Sequence, residues 1–165
     1  MTVKRRGKAM EQAVLDKHLV LDRQLCFAVY ATAHAFTRAY KPLLDPLGLT
    51  YPQYLVMLVL WEKGEVPVKA IGQSLDLDSG TLSPLLRRLE ERGLVSRRSD
   101  ADDERVVRVE LTVAGRDTHA EVVAAAGCLV PAFVDSGRGL GELLEQLAAI
   151  TANMRAVASD LRTAA

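Results

Sequence analysis

The stretch from Asp78 to Gly93 constrains this chain most: Asp-Ser-Gly-Thr-Leu-Ser-Pro-Leu-Leu-Arg-Arg-Leu-Glu-Glu-Arg-Gly. An aspartate can accept the free amides of a first helical turn, and a glycine can take the left-handed conformation that ends a helix. A helix of about four turns is therefore expected between them. Leu82, Leu85, Leu86 and Leu89 recur at three- and four-residue spacing and form one apolar stripe, from which Thr81, Ser83, Arg87 and Arg88 fall away. One face packs; the other offers hydroxyls and guanidiniums, which suit phosphates and base edges in a major groove. An ordinary solvated helix carries the same pattern, so the neighbouring sequence has to decide between the two.

Upstream, Pro67 precedes a short helix with Val68, Ile71 and Leu75 on one side, and Asp-Leu-Asp at 76 to 78 makes a tight turn. Two short helices joined in this way, the second polar on its outer face, are the arrangement of a helix-turn-helix. Pro84 removes one backbone bond from the second helix, and nothing in the sequence accounts for it. After Gly93 the apolar period changes from 3.6 to 2. Leu-Val-Ser-Arg-Arg and Arg-Val-Val-Arg-Val-Glu-Leu-Thr read as strands around an Asp-Ala-Asp-Asp-Glu loop. A hairpin placed there is a wing, with Arg105 near its tip where a narrow, negative minor groove would attract it. A solvated hairpin whose acids and arginines pair with each other remains the alternative.

The flanks read as helical. From Leu15 to Tyr40 there is no proline or glycine, and Leu15, Leu19, Leu25, Val29, Ala33 and Phe36 suit one long helix. Pro42, Pro46 and Gly48 then break the chain. Thr50 can cap the next helix, whose Leu-Val-Met-Leu-Val-Leu-Trp segment is apolar nearly all round and should form the core. Lys63 to Val66 turns the chain. Thr112 can cap a further helix interrupted near Gly127 and Pro131, and Gly137 to Gly141 is a turn. A last helix from about Glu142 carries Leu143, Leu144, Leu147, Ile150, Thr151, Met154, Val157 and Leu161 as a continuous apolar stripe. That exceeds what a small domain needs for its own core, so dimerisation through terminal helices is expected. A dimer could read a pseudo-palindrome with half-sites about 34 Å apart.

The 165 residues suffice for one compact, mainly α domain with a small β-wing. The expected division is a flexible basic tail at 1–14, dimerisation helices at 15–48 and 113–165, and a winged helix-turn-helix at 49–112. No apolar run approaches a membrane span and no apolar segment follows the basic N-terminus, so a cytoplasmic location without membrane contact is expected. Lys and Arg number 21, as do Asp and Glu, which counts against a purely electrostatic DNA binder. Arg87, Arg88, Arg92, Arg97, Arg98, Arg105 and Arg108 face Glu90, Glu91, Asp100, Asp102, Asp103 and Glu104, so geometry would have to concentrate the positive groups. His18, His34 and His119 lack metal-ligand spacing, and no metal or other cofactor is implied. Cys26 and Cys128 are far apart and form no CxxC.

In this order, a long helix, a winged helix-turn-helix and a terminal dimer helix resemble the MarR family of regulators, and Asp-Asp-Glu-Arg at 102 to 105 resembles that family's Asp-x-Arg wing element. Leu-Cys-Phe-Ala-Val-Tyr at 25 to 30, Tyr-Lys-Pro-Leu-Leu at 40 to 44, Thr-Tyr-Pro-Gln-Tyr-Leu at 50 to 55, Leu-Trp-Glu at 60 to 62 and Leu-Asp-Ser-Gly-Thr-Leu at 77 to 82 are similar to the organic hydroperoxide resistance regulators within it. The resemblance covers roughly Leu25 to Leu111. It implies a homodimeric repressor, not an enzyme, that binds double-stranded DNA and releases it when an organic hydroperoxide oxidises a reactive cysteine. That cysteine falls on Cys26, and the tyrosines that hydrogen-bond it fall on Tyr40 and Tyr51. The DNA-facing residues fall on the helix from Ser79 to Arg88 and on Arg105, with Asp103 supporting the wing. Cys128 is a candidate resolving thiol.

A cysteine reacts with peroxide as its thiolate, and Leu25, Phe27 and Val29 would by themselves disfavour the anion. Phenols of Tyr40 and Tyr51, within the chain or across a dimer, could stabilise it by donating hydrogen bonds, and Tyr30 lies one turn from Cys26 on the same face. Other readings stay open: a repressor of the same fold gated by an aromatic or phenolic ligand in its dimer cleft, a thiol peroxidase, or a purely structural dimerisation module.

Overall fold

The computed structural model describes residues 20–129, 131–132 and 139–163. The basic segment 1–14, Leu15, His18 and Leu19, and part of the turn expected at 137–141 lie outside them. The described helices are α1 (Leu25–Leu44), α2 (Tyr51–Lys63), α3 (Val68–Leu75), α4 (Ser79–Glu91), α5 (Val113–Ala126) and α6 (Leu140–Thr163). Strands β1 (Val66–Pro67), β2 (Val95–Ser99) and β3 (Val107–Leu111) complete the fold. The chain divides into two compact units, the boundary falling after Val122.

The first unit is built on α2. Its start carries a capping box: Gln53 Oε1 accepts the Thr50 amide at 2.9 Å, and the Thr50 side chain meets the Gln53 backbone. Tyr54, Val56, Met57, Val59 and Leu60 of α2 are buried. Ile71 of α3, Leu82, Leu86 and Leu89 of α4, and Val95 and Val109 of the sheet pack into the same core. Leu85 is half-buried, so the leucine stripe read from the sequence is the packed face of α4. The helix ends where expected, because Gly93 takes φ 70° and lets the Leu94 amide reach the Leu89 carbonyl at 3.0 Å. Thr112 starts α5, accepting the Gly115 amide at 3.0 Å.

Three features differ from expectation. The long helix expected from Leu15 to Tyr40 is interrupted within the described residues: Leu21–Arg23 is a 3₁₀ turn, Gln24 is extended at ψ 118° without a side-chain cap, and α1 begins at Leu25. Lack of Pro and Gly permits a helix but does not compel one. Pro42 does not break the chain; α1 runs through it to Leu44 and turns only at the 3₁₀ segment Asp45–Leu47. In a last turn proline forfeits a single bond, while the Lys41–Asp45 ion pair at 2.7 Å and the buried Leu44 hold the turn closed. Finally, the segment expected as a plain turn contains β1, which pairs Val66 with Val109 and Pro67 with Arg108. The sheet is thus three antiparallel strands in the order β1-β3-β2, with Pro67 on an edge strand as its missing amide requires.

In the second unit, α6 starts at Leu140, two residues before the expected Glu142, and none of its residues is buried. Among the described residues no single helix is long and apolar enough to cross a membrane.

Candidate DNA interface and thiol site

The helix-turn-helix is α3 and α4. Asp76, at φ 55°, makes the turn, and the Leu77 amide returns to the Gly72 carbonyl at 2.9 Å. Asp78 then caps α4: Oδ1 accepts the Thr81 amide at 2.8 Å and Oδ2 the Thr81 hydroxyl at 3.0 Å. These bonds hold the Asp78 carboxyl below its ordinary range. Ser83 donates to the Ser79 carbonyl at 2.7 Å, so of the hydroxyls on this face Thr81 and Ser83 are both engaged within the helix. Ser79, Gly80, Ser83, Pro84, Arg87 and Arg97 line an open groove along α4. Pro84 therefore lies on the outer face, where the lost bond leaves the leucine stripe untouched.

In the wing, β2 and β3 place Arg98 directly opposite Arg108, a like-charge pairing that would open the hairpin. Glu65 prevents this. Its carboxylate accepts Arg98 Nη2 at 2.6 Å and also Arg108 Nε, and Arg108 Nη1 continues to Asp100 Oδ2 at 3.0 Å. Asp100 takes the Asp102 amide at 2.9 Å, and Asp103 takes both the amide and the guanidinium of Arg105. Ion pairs therefore run from the foot of the wing to its tip, and Arg105 stands there with its side chain 90% exposed. Glu65, Asp100 and Asp103 are all held below the usual carboxylate range, Glu65 and Asp103 chiefly by their arginines and Asp100 chiefly by the Asp102 amide. Lys69 of α3, Ser83, Arg97 and Arg105 border one cleft between α4 and the wing.

Of the seven arginines from Arg87 to Arg108, most are committed. Arg87 meets Glu91 at 3.5 Å, Arg97 is bonded to Glu90, and Arg92 donates to backbone carbonyls. The positive face is thus a set of held guanidiniums whose acids DNA phosphates would have to displace.

The thiol site is assembled differently. Cys26 lies in the first turn of α1, exposed, with its Sγ 3.7 Å from Gln24 Oε1. Tyr30 and His34 pack together one turn further on, ring centroids 4.3 Å apart. Tyr40 and Tyr51 meet at 5.2 Å, and Tyr54 closes the cluster at 5.3 Å from Tyr40 and 6.0 Å from Tyr51. One chain therefore does not bring Tyr40 and Tyr51 to Cys26. Fourteen residues of α-helix separate Cys26 from Tyr40, about 21 Å at 1.5 Å per residue. Cys128 occupies the 3₁₀ turn Gly127–Leu129, exposed, and donates to the Ala125 carbonyl at 3.2 Å.

The family model of the transcriptional regulator SarA/Rot matches residues 38–122. The organic hydroperoxide resistance transcriptional regulator of Bacillus subtilis is 44% identical over 130 residues, 79% of this chain and 88% of that protein. The chain belongs to the MarR family of winged helix-turn-helix regulators. Among its MarR-family relatives, the regulator TtmR of Methylorubrum extorquens is 59% identical over 111 residues, 67% of this chain but only 57% of TtmR. Reduced AbfR bound to DNA superposes with a TM-score of 0.72 at 34% identity, covering 87% of this chain and 96% of that one. Disulfide-formed AbfR reaches a TM-score of 0.59 at 36% identity over 85% and 98%; AbfR is a Staphylococcus epidermidis protein. This MarR-family chain is thus a DNA-binding transcriptional regulator.

Two residues of the site escaped the sequence reading. Tyr54 is buried, and burial, with Tyr40 beside it, pushes its phenol up to about 12; Tyr51 is raised in the same direction by the same causes. The signal was available, since Tyr51 and Tyr54 stand three apart and so share a face of α2. Glu65 was not legible, because its two arginines come from positions 33 and 43 residues later.

Proposed function

We propose that this regulator is a homodimeric repressor whose Cys26 senses organic hydroperoxides, and whose oxidation releases a pseudo-palindromic operator. The observation that carries the reading is the split of the thiol site along α1. An exposed thiol stands at the start of that helix, and a cluster of three phenols stands near its end. Two α1 helices packed antiparallel about a two-fold axis would bring each thiol to the partner's phenols. Residues 15–48 and 113–165 form the dimer region in this reading, and 49–112 the DNA reader. Ser79, Thr81, Ser83, Arg87 and Arg88 of α4 and Arg105, backed by Asp103, would contact DNA. The name of the Bacillus subtilis relative supports the choice of effector.

In the chemistry, the Cys26 thiolate attacks the terminal oxygen of ROOH, the O–O bond breaks, and the alkoxide leaves as ROH after taking a proton. Cys26 becomes a sulfenic acid. Condensation with a second thiol, either Cys128 or a small thiol, gives a disulfide and water. Once a second copy covers the exposed Leu25 and Val29, an alkyl group would gain from burial there and hydrogen peroxide would not, which favours organic hydroperoxides.

The test measures binding to a duplex selected in vitro against the reduced protein, at fixed salt, before and after stoichiometric cumene hydroperoxide. The native protein should release the duplex and Cys26→Ser should hold it. Equal responses in the two would sink the reading and favour gating by a bound aromatic ligand. Cys128→Ser decides the resolving role.

A further inference from the structure

The elbow that ends α1 is held by the far end of the recognition helix. Arg92 is the C-cap residue of α4. Its exposed side chain reaches back to the elbow: Nη2 donates to the Leu47 carbonyl at 2.7 Å and Nη1 donates to the Gly48 carbonyl. Those carbonyls close the 3₁₀ segment Asp45–Leu47, where α1 turns into α2. The turn itself is tight, with the Gly48 amide on the Asp45 carbonyl at 2.9 Å and the Leu49 amide on the Leu44 carbonyl at 3.0 Å. Leu44 and Leu49 are each only 2% exposed. Gly48 sits at φ 62°, and a Cβ there would run into the Arg92 guanidinium, so the arginine crosses bare backbone. Whereas Arg87, Arg97, Arg98, Arg105 and Arg108 pair with carboxylates, Arg92 spends two of its donors on main-chain oxygens.

We infer that Arg92 is a positioning residue that couples α1 to the recognition helix, so that a change in the setting of α1 reaches α4 through two hydrogen bonds. The inference rests on the reading that chemistry at Cys26 controls DNA binding. α1 is one continuous helix with Cys26 in its first turn and the elbow immediately after its last. A shift of that helix displaces the Leu47 and Gly48 carbonyls together. A planar guanidinium bonded to both follows them, because its fork geometry is fixed. It carries with it the end of α4, whose next residue, Gly93, leads straight into β2 and the wing. The elbow's Leu44, Leu47 and Leu49 otherwise share with α4 an apolar core, whose side chains can slide.

The experiment perturbs Cys26 without relying on peroxide. In a Cys128→Ser background, Cys26 is converted to its bulky thionitrobenzoate mixed disulfide. Affinity for the duplex selected against the unlabelled protein is then measured with and without the label. Three proteins are compared: the background, Arg92→Gln, and Gly48→Ala, which keeps the arginine but pushes it off the carbonyls. The label should weaken binding about tenfold in the background. In both variants that ratio should fall to near unity while cooperative unfolding is retained. If Arg92 were simply a phosphate ligand, Arg92→Gln would lower the slope of log affinity against log salt by about one and leave the label ratio intact. That outcome overturns the inference, as does a label without effect in the background protein. Cumene hydroperoxide on the unlabelled native protein tests the sensing reading separately. Silence there beside a working label removes the sensing reading and leaves the coupling by Arg92 standing.

Discussion

The DNA reader and α6 are opposite cases of how a helix is stabilised. In the reader, α4 has a capped start, a glycine-closed end and three leucines at 2% exposure or less. Every bond that shapes its wing is made within the chain, from Glu65 to Arg105. α6 is nearly twice as long, yet none of its residues is buried, and Leu144, Met154 and Leu161 stand 57%, 59% and 67% exposed. A long apolar stripe kept in water is costly. The contrast teaches that one copy of this chain suffices to make a reading head, whereas the apolar stripe of α6 stands exposed; in the proposed reading a second copy covers that stripe and completes the thiol site.

The comparison breaks first on packing. Leu86→Ala should destabilise the reader by about 2–5 kcal/mol, because it empties space at the centre of the core. Leu161→Ala should change the stability of an isolated chain by less than about 0.5 kcal/mol. Urea unfolding of both, below the concentration at which the protein dimerises, checks this; equal losses would mean α6 has its partner within its own chain. Next in size is assembly. Leu147→Asp puts a charge into the stripe and should turn a dimer into a monomer in sedimentation equilibrium, with the reader's circular dichroism unchanged. A persistent dimer would move the interface elsewhere.

What the sequence made legible follows the same division. The cap at Asp78, the stop at Gly93, the leucine stripe and the wing strands are local patterns, and each stands where its residues put it. Local patterns failed where a distant partner decides. β1 exists because Val66 meets Val109, 43 residues on, and the Glu65 hub exists for the same reason. Pro42 was read as a break by its residue type, but its position in a last turn makes it tolerable. Cys26, Tyr40 and Tyr51 were read as one site, within the chain or across a dimer, and the length of α1 decides that the single chain keeps the thiol away from the phenols.

Smaller effects sharpen the account of the reading surface. Arg88 is exposed on α4, and Arg88→Ala should weaken DNA binding at every sequence and lower the salt slope by about one, the signature of a phosphate contact. A loss confined to particular bases would make it a base reader instead. Acid should act on the reader. Glu65, Asp78, Glu90, Asp100 and Asp103 are held below their unfolded values by arginines, amides and a hydroxyl. Their contribution is therefore complete above the unfolded carboxylate range, near pH 4, and is lost as pH falls through the folded values. Urea midpoints should drop below about pH 4, and Glu65→Gln should flatten that drop.

The smallest expected effect lies at the other end of the pH scale. Tyr54 ionises near 12 in the folded chain and an unfolded tyrosine near 10, so between these values the unfolded state loses a proton that the folded state keeps. Stability from this group is full below about pH 10 and declines as pH rises toward 12. Tyr54→Phe removes the ionisable group and should remove that part of the alkaline decline. Phenolate absorption should show the same residue as a late-titrating class that disappears in the variant. If the late class survives Tyr54→Phe and disappears in Tyr51→Phe, the deepest phenol of the cluster is Tyr51. In that case the hydroxyl offered to an incoming thiolate, in a dimer with the partner's Cys26 beside it, would come from Tyr40 with Tyr54 behind it.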